Sequence, residues 1–229
     1  MHKNWAVYLC LLLLFHSLYS ENIEERLNFD PQQIAKEEVA AWKDYYNDDT
    51  TGLIQHLSHL VIVEFRLNRM TAWTSVIPEL IKASTIFKHL PSNSSESTYE
   101  SEVLPHLEKA YEAIHQAWNA SWDPKIAAKD ELDWWIYRRQ QKTVNPEIVG
   151  KKITDLYLLI YGNHDDHHFE RAGYLRAVAA RYRDLCQESW KHVSDLDWNI
   201  IENILEQSYK EVLSGIEANQ ENKQKMHSH

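Results

Sequence analysis

The chain contains one segment twice. Asp30-Pro31 through Ala35-Lys36-Glu37-Glu38-Val39 to Trp42 returns as Asp123-Pro124 through Ala128-Lys129-Asp130-Glu131-Leu132 to Trp135, at a constant offset of 93 residues. The correspondence continues with small slips: Leu60 and Phe65 against Leu156 and Tyr161, Leu80 and Phe87 against Leu175 and Tyr182, Leu107 and Tyr111 against Leu205 and Tyr209. A repeat of this length is a duplication of structure, and it fixes the architecture before any single element is considered. Features found in both halves serve the fold first, and features found in one half are the better places to look for chemistry.

Apolar residues within each copy fall at helical spacing. Leu53, Leu57, Leu60, Val61 and Phe65 form one face, with Ile153, Leu156, Tyr157, Ile160 and Tyr161 as its counterpart. Only five glycines occur in the chain, too few for a sheet with tight turns. The spacing predicts helices over 31–46, 52–68, 72–90 and 101–118, then over 124–140, 146–162, 167–192 and 197–218. Asp30-Pro31, Asp123-Pro124 and Asn145-Pro146 each supply an Asx cap followed by Pro at the first helical position. Pro78 falls inside the third helix and is expected to kink or split it. The polar stretch Pro91 to Thr98 is expected as a loop, and the junction near Asn119 to Asp123 is short enough for the halves to pack as one body. The expected fold is all-α: a first helical repeat over 21–118, a second over 119–219 and a disordered tail over 220–229.

Residues 1–20 read as a secretory signal peptide. Lys3 is their only charged side chain, Trp5 to Phe15 is nearly unbroken apolar sequence, and a polar exit ends at Ser20. An apolar stretch of eleven residues is short for a spanning helix, which needs about 20. The remainder contains no stretch of spanning length, so cleavage is expected near Ser20, with an uncleaved anchor as the alternative, and the expected location is secreted or periplasmic, with no stable membrane span once the signal is removed. Loss of Lys3 leaves 23 basic against 34 acidic residues. A chain this acidic repels phosphate backbones, which excludes nucleic acid as the expected partner. Cys186 is then the one cysteine left, so no internal disulfide is expected and the fold must stand on its core.

Three groups of residues are candidates for function. Glu38 with Trp42, and Glu131 with Trp135 and Arg138, lie four and seven residues apart on one helical face of each copy. A carboxylate beside aromatics suits acid or base work, and it equally suits a half-buried anchor between helices. Trp134 has only Ala41 at its counterpart position. Adjacent helical residues point about 100° apart, so one of Trp134 and Trp135 is expected to face away from the core of its own half, either as an anchor for a protein, peptide or glycan or packed between the two halves. The third group, His164, Asp166, His167 and His168, is found in one copy only. Imidazole and carboxylate at that spacing can hold Zn²⁺ or another divalent ion, and they also suit an ordinary polar helix start. His56 and His59 offer a further pair of ligands on one helix. No Gly-x-Ser-x-Gly, phosphate-cradling glycine loop or His-Glu-x-x-His occurs. The expected function is therefore binding through an aromatic-lined surface without a cofactor, the alternative being a metal-dependent hydrolase or metal carrier built on the histidine cluster.

Glu131-Leu-Asp-Trp134-Trp135, Arg138-Arg139, Val149-Gly150, Leu156-Tyr157, Tyr161-Gly162 and Ser208-Tyr209, with Glu38, Trp42, Tyr45-Tyr46 and Phe65, resemble an uncharacterised bacterial family of duplicated all-helical proteins. The resemblance spans roughly residues 30 to 215. It implies an all-helical fold and brings no activity to transfer.

Overall fold

The structure, a computed structural model, describes residues 30–140, 145–162 and 167–227. The expected signal segment lies outside the described residues, as do His164, Asp165 and Asp166. Every regular element described is helical.

The elements are α1 (Pro31–Asn47), α2 (Thr50–Phe65), a short lead-in of Arg69–Thr71 and a π-helical Ala72–Val76, α3 (Ile77–His89), α4 (Glu96–Glu102), α5 (Leu104–Trp118), α6 (Pro124–Gln140), α7 (Pro146–Tyr161), α8 (His167–Trp190) and α9 (Asp195–His227). All three Asx-Pro pairs start helices. Asp30 accepts from the backbone N–H of Gln32 and Gln33, Asp123 from that of Lys125, and Asn145 from that of Glu147. Pro78 stands in the first turn of α3, directly after the π-helical segment, so the expected split occurs there. Two boundaries differ from the spacing. Ser95 caps an extra helix, α4, inside the segment expected as a loop, and Pro105 starts α5 afresh. Helix α9 runs on to His227 instead of ending near 218, because Glu, Ala, Gln and Lys beyond Gly215 favour helix and no proline stops them.

Neighbouring helices pack in a closed circuit. α1 lies on α2, α2 on α3, α3 on α5, then α5, α6, α7, α8 and α9 follow in order, and α9 returns to α1. Two apolar clusters fill the body. One gathers Ile34, Val39, Trp134, Ile153, Phe169 and Leu205, and the other gathers Val61, Phe87, Tyr99, Leu107, Leu132 and Ile136. Helix α6 contributes to both, so it is covered on two sides. Cys186 is buried with the first cluster and makes no disulfide among the described residues. No described helix is long and apolar enough to cross a membrane.

The crossing of α7 and α8 is tight because Gly150 and Gly173 meet there. A methyl group built on Gly150 would stand 2.8 Å from Cα of Tyr174 and 3.2 Å from the carbonyl carbon of Gly173. Backbone cannot swing aside as a side chain can. Gly150→Ala is therefore expected to cost about 1–2 kcal/mol net, overpacking outweighing the gain in helix propensity. A drop in the urea midpoint at unchanged slope checks it.

Candidate functional site

Inside the circuit of helices lies a cavity of about 620 Å³, lined from α1, α2, α3, α5, α6, α7 and α8. Its volume is within the range of small-molecule sites. Exposed Glu188 on α8 is part of the lining, so the cavity reaches the surface at that end.

Deep in the cavity wall stand Glu38 from α1, Glu64 from α2 and Glu131 from α6, with Asp184 and Glu188 of α8 also in the lining. Glu38 is only 1% exposed. It accepts from Nε and Nη2 of Arg176 at 2.9 and 2.6 Å and from the Tyr209 hydroxyl at 2.7 Å. Two guanidinium nitrogens and a hydroxyl satisfy it, which makes it a buried anchor between helices. Glu131 accepts from the Tyr111 hydroxyl at 3.1 Å and from Nε1 of Trp135 at 2.8 Å. Glu64 accepts from the Tyr161 hydroxyl at 3.2 Å. Among the described residues, neither Glu64 nor Glu131 makes an ion pair; their donors are neutral. Burial is the main reason that the Glu64 carboxyl is pushed up from 4.5 to about 7. Arg176 opposes that rise, whereas Glu38 and Glu131 add to it. Burial likewise raises Tyr111 and Tyr161, so both hydroxyls stay protonated and able to donate.

Toward the surface the character changes. Arg138 holds Asp184 through Nε at 3.1 Å and Nη2 at 2.9 Å, and Nη2 also donates to the Tyr46 hydroxyl at 2.7 Å. The same guanidinium lies over the Trp42 ring, 5.3 Å from its centroid. Burial works against ionised Asp184, but Arg138 and then Arg183 outweigh it and hold the carboxyl below its usual range. Arg139 turns away to donate to the carbonyls of Phe87, Lys88 and Leu90, where it satisfies the end of α3. The outer wall is thus a set of arginines already engaged by acids, carbonyls and aromatic faces.

Glu38, Trp42, Glu131, Trp134, Trp135 and Arg138 all line this one cavity. Of the two readings of Trp134, the outward anchor does not hold. Trp134 does not face outward: it is 5% exposed, inside the first apolar cluster, with Arg176 stacked 5.1 Å from its ring centroid. The inference from adjacent positions fails because α6 has core on two sides, so side chains 100° apart both find cover. Spacing misses Glu64 and Arg176. Both carry a signal, since Glu64 falls at the apolar positions of α2 set by Leu57, Leu60 and Val61, and Arg176 sits beside the buried Ala172, Gly173 and Ala177. A charge on an apolar stripe needs a buried partner or a ligand.

Of the expected metal cluster, only His167 and His168 are among the described residues. Nδ1 of His168 lies 2.6 Å from Glu211 of α9, which Arg171 also holds. The ring of His167 lies against that of His168, with centroids 4.3 Å apart.

No protein-family model matches the chain, and no curated protein or solved structure does.

Proposed function

We propose that the chain is an exported binding protein whose cavity takes a small organic cation. The charged group lodges against Glu64 and Glu131, and the apolar part lies along the aromatic wall of Trp42, Trp135 and Phe87. One observation carries this reading: two carboxylates that make no ion pair among the described residues, with Arg176 committed to Glu38, stand in an aromatic-walled cavity open to solvent. A carboxylate in such a place is costly when ionised and alone, and a ligand cation relieves that cost. Aromatic faces attract the same charge. An ammonium or amidinium group is the chemistry required, and a lysine side chain of a peptide would present it too. Export rests on the apolar leader read in residues 1–20.

Thermal melting at pH 8 with hexylammonium, hexanol and hexanoate tests the reading, since the three probes share a chain and differ in charge. Hexylammonium is expected to raise the melting temperature, hexanol less, and hexanoate not at all. Glu64→Gln is expected to bind hexylammonium at least tenfold more weakly while remaining folded, because the amide still accepts from Tyr161. Equal stabilisation by hexanoate, or no response to hexylammonium, would overturn it.

A further inference from the structure

A second cluster of chemistry-bearing side chains lies between α1 and α2, formed by different residues from those of the cavity. Nδ1 of His56 lies 2.8 Å from Oε2 of Glu37, and Nδ1 of His59 lies 3.6 Å from the same oxygen. One ligand atom from each of the three residues lies within 4.8 Å of the other two. Donors around a tetrahedral Zn²⁺, at about 2.0–2.2 Å from the ion, stand about 3.3–3.6 Å apart. Side-chain adjustments of the order of 1 Å close that difference. His56 and His59 are three residues apart on α2, the spacing that puts two imidazoles on one helix face.

Asp44 supplies an independent observation. Its Oδ2 is buried and has no hydrogen-bond partner among the described residues, yet it stands 3.9 Å from Nε2 of His56. That is the far side of the ring from Glu37. A metal-bound imidazole commonly turns its other N–H to a carboxylate, which fixes the tautomer and the ring. Gly52 leaves the room for this carboxylate, since a methyl group there would meet Oδ2 of Asp44 at 2.6 Å. A buried carboxylate oxygen without a hydrogen bond behind one imidazole, and a shared carboxylate oxygen in front of both, are what a metal bound at Nδ1 would use.

We infer that Glu37, His56 and His59 form a binding site for a divalent transition metal of the Zn²⁺ type, with Asp44 orienting His56 from behind. Three protein donors leave a fourth position for water, and His59, whose side chain is 44% exposed, stands on the solvent side of the site. The ion would clip α1 to α2. Its binding releases whatever protons the imidazoles carry, so affinity falls as the solution is acidified.

Titration of the untagged full chain with Co²⁺ alone, read by visible d–d absorption, tests this site. One equivalent is expected to give a band of tetrahedral intensity that Zn²⁺ then abolishes by displacement. His59→Asn and Glu37→Gln are each expected to weaken that equivalent by at least 100-fold. Asp44→Asn is expected to weaken it about tenfold while keeping the stoichiometry. Chains carrying His167→Ala with His168→Ala are expected to titrate unchanged. Failure to see the band overturns the site, and so does a tight equivalent that survives both His59→Asn and Glu37→Gln or is lost with the His167 and His168 changes. His59 is exposed enough for its variant to fold, so loss there is read as loss of a ligand.

Discussion

Replacing Arg176 with Met is expected to destabilise the chain by about 3–5 kcal/mol, the range for breaking a buried ion pair by removing one partner. Glu38 would keep only the Tyr209 hydroxyl as donor, in a place that is 1% exposed. The charge would then be buried without compensation, or the carboxyl would take up a proton and weaken what it anchors. Arg176 also covers the Trp134 ring, so packing is lost along with charge. Chemical denaturation checks the size. Glu38→Leu introduced with Arg176→Met is expected to recover much of the loss, because an apolar pair of similar volume needs no counter-charge. A single-variant loss below about 1 kcal/mol would show that the pair is not the anchor between α1 and α8.

The second large effect depends on pH and isolates Glu64. The carboxyl rises from 4.5 to about 7 in the folded chain, mainly through burial, with Glu38 and Glu131 adding and Arg176 and the Tyr161 hydroxyl opposing. A folded value above the unfolded one means that the folded state binds more protons between them. Glu64 therefore contributes stability that is fully present below pH 4.5 and is lost as pH rises through about 7. A rise of this size corresponds to about 3 kcal/mol between those limits. Glu64→Gln removes the titration and keeps the hydrogen bond from Tyr161. The variant is expected to gain on the wild-type chain by up to that amount between pH 4.5 and pH 8. Denaturation curves of the pair across this range check it, and a constant difference would remove Glu64 as a buried acid.

Much of the fold is legible in the amino-acid sequence. Caps at Asp30, Asp123 and Asn145 announce helix starts through local chemistry that needs no tertiary contact. The set Glu38, Trp42, Glu131 and Trp135 is legible because each Glu and Trp pair is four residues apart on one helix face, and all four line the cavity. Trp134 escapes the spacing argument for a physical reason. Periodicity says which side chains share a direction and is silent about how many sides of a helix are covered. Glu64, Arg176 and the tyrosines at 111, 161 and 209 are hidden differently. Tyrosine fits an apolar stripe by its ring and enters a polar network by its hydroxyl, so spacing counts it as core and misses the donor. Pairs such as Glu38 with Tyr209 are 171 residues apart, and only the closed circuit of helices brings them together.

Calorimetric titration of hexylammonium at pH 7, repeated in buffers of different ionisation heat, measures the protons released as the ligand binds. A carboxyl raised to about 7 is partly protonated there, and an incoming ammonium that pairs with it drives the proton off. Release of a fraction of a proton per ligand, shrinking as pH is raised to 8.5, is expected for the wild-type chain, and close to none for Glu64→Gln. Binding that releases no proton from the wild-type chain, or the same number from both, would contradict a cation lodged against Glu64.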